Sequence, residues 1–185
     1  MATVFIIHGS YGSPEENWIP WLKAELEKLN FQVFAPRFPT PKSQNLESWN
    51  HVFGNYKTHL SKDAILVGHS IGCAFILNLL EKYDVKVSMS FLVAGFIGKI
   101  GNDYYDVINK TFTERDFDWD KIKKNCGKFL IYHSHDDPYI PFLKAEELAS
   151  ELDCTLKIVD GAGHFNTKSG YNKFEILLQD IKKFT

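Results

Sequence analysis

The sequence predicts an α/β fold: a mostly parallel sheet of about six strands with helices on both faces. Three observations carry this. Short β-branched and aromatic runs alternate along the chain with longer segments of helical periodicity. The strand runs are apolar almost throughout, as expected where both faces of a sheet are covered. Several of them end in glycine-rich turns, where a strand hands over to a helix. With 185 residues, the chain is expected to form a single domain spanning positions 1–185.

In order, Thr3–Ile7 is the first strand, closed by His8-Gly9-Ser10-Tyr11-Gly12. A helix is expected from Ser13, with Ser13 as cap, Pro14 at the first helical position and Glu15 and Glu16 in the first turn. Trp18, Trp21, Leu22, Leu26 and Leu29 form its apolar face. Phe31–Ala35 is a second strand; Pro36, Pro39 and Pro41 then hold the chain extended before a helix over about Leu46–Leu60. Ala64–Val67 is the third strand and Ile71–Tyr83 a helix apolar on most faces, hence buried. Val87–Ala94 is the fourth strand. The following thirty or so residues have weak periodicity and many aromatics, Tyr104, Tyr105, Phe112, Phe117 and Trp119 among them, and read as a cover over the site. A short helix at Asp120–Asn125, a strand at Lys128–His133, a helix at Pro141–Leu152, a strand at Thr155–Val159 and a helix at Tyr171–Phe184 complete the series.

Composition excludes several function classes. Hydrophobic residues make up 44% and charged residues 24%, ordinary globular proportions. A net charge of -2 offers no field for nucleic acid or an anionic membrane. Cys73, Cys126 and Cys154 are widely spaced, without a C-x-x-C pair, and are expected to be reduced thiols. Met1 to Gly9 hold only a four-residue apolar core, Val4–Ile7, with no basic flank or cleavage site. No membrane span is expected, and a cytoplasmic location is the default.

The stretch that points to chemistry is Gly68-His69-Ser70-Ile71-Gly72, between the third strand and its helix. In a nucleophile elbow the central residue is strained, and small residues two places to either side let strand and helix approach. The strain lifts the Ser70 hydroxyl to the positive end of the helix, suiting a nucleophile that carries negative charge. The pattern by itself arises in roughly one chain in twenty of this length. Its plain reading is a glycine-rich turn whose serine caps the helix. Context decides: after the fifth strand come Asp136 and Asp137, and after the sixth comes Gly161-Ala162-Gly163-His164.

Serine, acid, histidine is the chain order of α/β-hydrolases. A neutral imidazole takes the hydroxyl proton, and a carboxylate fixes its tautomer and stabilises its cation. Ser70 and His164 are the candidate nucleophile and base, and Asp136 and Asp137 compete for the acid. The oxyanion donors expected are the amides of Ile71 and Ser10, with Tyr11 as fallback. Tyr11, Trp18 and Phe96 are candidate substrate-binding residues. His133-Ser134-His135-Asp136 resembles part of a metal-binding H-x-H-x-D-H loop, but its acid is at the wrong offset and the closing histidine is missing. No metal and no cofactor are expected.

The segments Asn17-Trp18-Ile19-Pro20-Trp21-Leu22-Lys23, Gly68–Gly72, Trp119–Cys126, Asp136-Asp137-Pro138-Tyr139-Ile140-Pro141 and Gly163-His164-Phe165 resemble the small serine hydrolases related to retinoblastoma-binding protein nine. The resemblance implies a compact α/β-hydrolase fold without a large lid domain. It also implies a triad on Ser70, Asp137 and His164, the acid standing four residues before a proline, here Pro141. Small esters and aminoacyl or peptide-like amides are the substrates it implies. Binding of a retinoblastoma protein is not carried over, because no motif matches one for it. The alternative is a fold of this class whose pocket holds a ligand without turnover.

Overall fold

The apolar runs assemble into one parallel sheet. In the computed structural model, which describes residues 2–183, the strands are β1 (Thr3–Ile7), β2 (Gln32–Phe34), β3 (Ile65–His69), β4 (Met89–Val93), β5 (Phe129–His133) and β6 (Thr155–Ile158). Their spatial order is β2-β1-β3-β4-β5-β6, each neighbouring pair parallel. β1, β3 and β4 are buried along their whole length, which explains why their sequences do not alternate. Alternate β1 residues still serve opposite faces. Phe5 and Ile7 join one apolar layer with Leu66, Leu92 and Ile131, while Val4 and Ile6 join the other with Val67, Phe91 and Tyr132.

Seven α-helices cover the sheet among the described residues: α1 (Ile19–Lys28), α2 (Leu46–Phe53), α3 (Ile71–Lys82), α4 (Asp103–Thr113), α5 (Trp119–Lys124), α6 (Phe142–Leu152) and α7 (Glu175–Lys182). α3 lies against β1, β3 and β4 and is itself overlaid by α4 and α5. Every residue from Ile71 to Leu80 is therefore buried, and a helix in that position must be apolar on all sides. The order of strands reverses its winding between β1 and β3. Loops leaving the carboxyl ends of those two strands part there and leave a crevice, the usual ligand position in an open parallel sheet.

Several expected boundaries move. The first helix begins at Ile19, not Ser13: Asn17 takes a positive φ of 55° that no helix continues through, and the Ser13 hydroxyl accepts the Glu15 amide in a local turn. The Leu46–Leu60 helix stops at Phe53, with a separate 3-10 turn at Lys57–His59. The cover after β4 is not irregular. Asn102 caps α4 by accepting the Tyr105 amide, and Asp103 and Asp106 stand in its first turn. The last helix starts at Glu175, because Gly170 turns the chain at φ 83° and the Tyr171 amide bonds back to Asn166. Its expected end at Phe184 and the first residue, Met1, lie outside the described residues. No helix among the described residues is long and apolar enough to cross a membrane.

One close approach governs this packing. A Cβ added at Gly72 would lie 2.5 Å from the Ile7 carbonyl oxygen and 2.8 Å from that of His8. Both are backbone atoms, which cannot swing aside. Gly72→Ala is expected to cost about 3 kcal/mol by overpacking, read as a lowered urea midpoint; an unchanged midpoint would contradict the packing of α3 on β1.

Candidate active site

The elbow has the strained geometry that its sequence requires. Ser70 sits at φ 54°, ψ -123°, a conformation costing about 1–3 kcal/mol for a residue with a side chain. Neighbouring structure over-determines it. The Ser70 amide donates to the Val93 carbonyl at 2.8 Å, and the Ser70 carbonyl accepts the Cys73 amide at 3.0 Å. Although Ser70 precedes α3, its hydroxyl makes no capping bond, so the plain cap reading fails. The hydroxyl is left at the helix's positive end, beside a cavity that Ser70 lines.

The loops after β5 and β6 bring an acid onto a histidine. It is Asp137 that meets His164: Nδ1 of His164 lies 2.8 Å from Asp137 Oδ2. An ionised carboxylate can only accept, so Nδ1–H is the donor in that bond, and in the matching neutral tautomer the lone pair lies on Nε2. Asp137 Oδ1 accepts the Tyr139 and Ile140 amides at 2.8 and 3.1 Å. Burial opposes ionisation of Asp137, but the hydrogen bond and charge of His164 and those two amides outweigh it, holding the carboxyl below its ordinary range. Asp136 has a different task. It accepts the Ser134 hydroxyl and the Gly163 amide, the latter at 3.2 Å, and so ties down the turn that carries His164. That turn uses positive φ at Gly161 (73°) and Gly163 (51°).

His69 fixes the histidine from its backbone side. Burial, and then the charge His164 can carry, push the His69 imidazole down to about 3. It stays neutral, and its Nε2–H donates to the His164 carbonyl at 2.9 Å. Trp18 stands edge-on to His69, and its indole N–H donates to the Phe165 carbonyl at 3.0 Å.

The loop after β1 faces the elbow. It is a turn in which the Gly12 amide donates to the Gly9 carbonyl at 3.1 Å, with Tyr11 at φ 58°. Tyr11's amide is already given to Thr40 Oγ1 at 2.7 Å, which removes it as the fallback oxyanion donor. The amides of Ser10 and Ile71 are given to no acceptor among the described residues.

These loops enclose a cavity of about 690 Å³ that takes in Ser70 and His164. Phe96, Ile100, Tyr104, Tyr105 and Tyr139 supply apolar wall, and Asn17, Asn166, Thr167 and Lys168 a polar stretch. A chain of ring contacts runs from Tyr11 through Tyr104, Tyr105 and Tyr139 to His164. The two histidines of the metal-like motif diverge: His133 Nε2 meets the Ile140 carbonyl, while His135 pairs with Asp160.

A family model described as serine hydrolase matches residues 4–183. The chain belongs to the serine hydrolase family. YdeN of Bacillus subtilis, named as a hydrolase, is 31% identical over 183 residues, covering 98% of this chain and 95% of YdeN. Serine hydrolase RBBP9 of Rattus norvegicus is 27% identical over 166 residues, covering 89% of this chain and 84% of that protein. The crystal structure of the B. subtilis ydeN product superposes with a TM-score of 0.93, at 30% identity, over 100% of this chain and 98% of that one. Est1E of Butyrivibrio proteoclasticus, solved with ferulic acid bound, shares the fold at a TM-score of 0.72 and 16% identity, over 100% and 88% of the two chains. The α/β-hydrolase fold is thereby shown.

Of the three candidate substrate-binding residues of this hydrolase, Tyr11 and Phe96 line the cavity. Trp18 does not: it is fully buried beneath the histidine turn, where its place on the apolar face of the α1 region puts it in the core. Of the aromatics expected to cover the site, Tyr104 and Tyr105 do so, Phe112 is core, and Phe117 and Trp119 stack on each other elsewhere. Sequence reasoning missed Ile100, Asn109 and Tyr139. The signal for Asn109 was the Asn102 cap followed by acids, which marks α4.

The depressed pKa of Asp137 has a consequence for stability. Its contribution is fully present above the ordinary value of 3.8 and is lost as pH falls through the lower folded-state value. The difference in urea midpoint between the wild type and Asp137→Asn is expected to shrink from about pH 5 to about pH 3; a difference that widens over that interval would contradict the assigned pairing.

Proposed function

We propose that the chain hydrolyses small carboxylic esters or aminoacyl and peptide-like amides through an acyl-enzyme on Ser70. One observation carries the reading: His164, bonded at 2.8 Å to the buried Asp137 carboxylate, lines the same cavity as Ser70 on its strained elbow. A ligand-binding pocket without turnover has no use for that combination.

In the reaction, Nε2 of His164 takes the Ser70 proton as Oγ attacks the substrate carbonyl, and Asp137 stabilises the imidazolium. The carbonyl oxygen becomes an oxyanion, met by the amides of Ser10 and Ile71 and by the positive end of α3. His164 then returns the proton to the departing alcohol or amine, which leaves as the C–O or C–N bond breaks. A water enters, gives its proton to His164 and attacks the acyl-enzyme. The acid departs as Ser70 recovers its proton. No cofactor takes part in these steps. The cavity volume of about 690 Å³ suits a small ligand, and the wall of Phe96, Ile100 and tyrosines suits an apolar group on it.

A fluorophosphonate probe is expected to label the wild-type protein and to leave Ser70→Ala unlabelled. Equal labelling of both would end the assignment. On an activated ester, Asp137→Asn should lower kcat by about 10⁴-fold, the loss that accompanies a wrong imidazole tautomer. Asp136→Asn, which loosens only the histidine turn, should lose less; a larger loss there would reverse the two roles.

A further inference from the structure

Between the loop after β1 and helix α4 lies a polar cluster that the reaction above does not use. Ser10 Oγ donates to Asn109 Oδ1 at 2.8 Å, a bond spanning 99 positions of the chain. The Gln44 carboxamide nitrogen reaches both, at 2.8 Å to Ser10 Oγ and 2.7 Å to Asn109 Oδ1. Gln44 is oriented in turn by Thr40, whose hydroxyl donates to Gln44 Oε1 while accepting the Tyr11 amide. Gln44 and Asn109 are 8% and 3% exposed, and Trp49 and Phe112 are fully buried nearby in sequence. Polar groups are costly to bury, and an apolar filling would stabilise at least as well. What the cluster adds is geometry: buried, mutually bonded polar groups hold one arrangement and penalise others.

That arrangement bears on the Ser10 amide. Ser10 and Tyr11 are the two central residues of the turn, and Tyr11 holds a positive φ that is unfavourable for its side chain. Left alone, such a turn would relax and carry the Ser10 amide with it. The cluster grips it twice, at the Ser10 hydroxyl and, through Thr40, at the Tyr11 amide. We infer that Asn109 and Gln44 are positioning residues, which hold the Ser10 amide where the oxyanion forms and so make α4 part of the catalytic geometry. The inference rests on the serine hydrolase reading above.

Asn109→Leu removes the acceptor at similar volume, whereas Asn109→Asp keeps an acceptor for both Ser10 and Gln44. With an activated ester, Asn109→Leu is expected to lower kcat by about ten- to a hundredfold, less than full loss of an oxyanion donor, while KM moves less than about threefold. Asn109→Asp should stay within about threefold of wild type. Ser10→Ala should match Asn109→Leu, and the double variant should be no slower than the slower single, because one bond is being removed twice. Affinity for a boronic acid that mimics the tetrahedral intermediate should fall in step with kcat/KM, which a merely structural residue would not impose. Gln44→Met repeats the test from the other side of the cluster should Asn109→Leu not fold. Wild-type kcat in Asn109→Leu or Gln44→Met, or losses that multiply in the double variant, would overturn the inference. Full activity in Ser70→Ala would instead overturn the reading on which it rests.

Discussion

The structure depends on how closely the start of α3 approaches the end of β1. At Gly72 only a hydrogen atom fits between the helix and the Ile7 carbonyl, and at Gly68 a Cβ would stand 2.9 Å from the Cys73 amide nitrogen. Strand and helix are thus joined by a turn too sharp for ordinary backbone angles, and the residue at its apex absorbs the strain. Because β1 is also the neighbour of β3 in the sheet, the same contact places the loop after β1 opposite the apex. Ser70 and the amide proposed to serve it are therefore set by one packing event at the point where the sheet reverses its winding.

Around that point, burial sorts histidines that look alike in sequence. His8, His69 and His133 are each held below the ordinary imidazole range, desolvation being the leading cause. Neutral rings of this kind make hydrogen bonds that do not switch with pH near neutrality. His8 uses one nitrogen for the Gly9 carbonyl and the other for the Phe38 amide, while His69 holds the His164 carbonyl. His164 differs because a buried carboxylate faces its ring. Structural histidines thus brace both loops of the cavity, and the one histidine proposed to move a proton is the one that faces a buried carboxylate.

Much of this was legible beforehand for a physical reason. Parallel strands buried on both faces must be apolar throughout, so β1, β3 and β4 declare themselves. The elbow needs small residues at fixed offsets, and Gly68 and Gly72 supply them. Errors fell where local signals compete. Ser13-Pro14-Glu15-Glu16 has the chemistry of a helix start but sits in a turn, because the positive φ of Asn17 interrupts the helix before Ile19. α4 is hidden in the sequence because its buried side joins Asn109 and Thr113 to Phe112, and polar residues at core positions blur the periodicity. Trp18 belongs to the core and not to the cavity, a difference the sequence does not carry because an aromatic on an amphipathic face reads the same in both settings.

By itself the sequence determined the fold class, the elbow and the order of serine, acid and histidine, all properties of residue type and short spacing. The spacing to Pro141 pointed to Asp137 by resemblance, and only the tertiary structure showed that this aspartate meets His164, which amide of the β1 loop is unengaged, and what walls the cavity. Those are contacts between segments distant in the chain: Asp137 reaches His164 across 27 positions, and Ser10 reaches Asn109 across 99. Residue type and short spacing do not by themselves encode such contacts, because the partners are brought together by how the sheet stacks its loops at one edge.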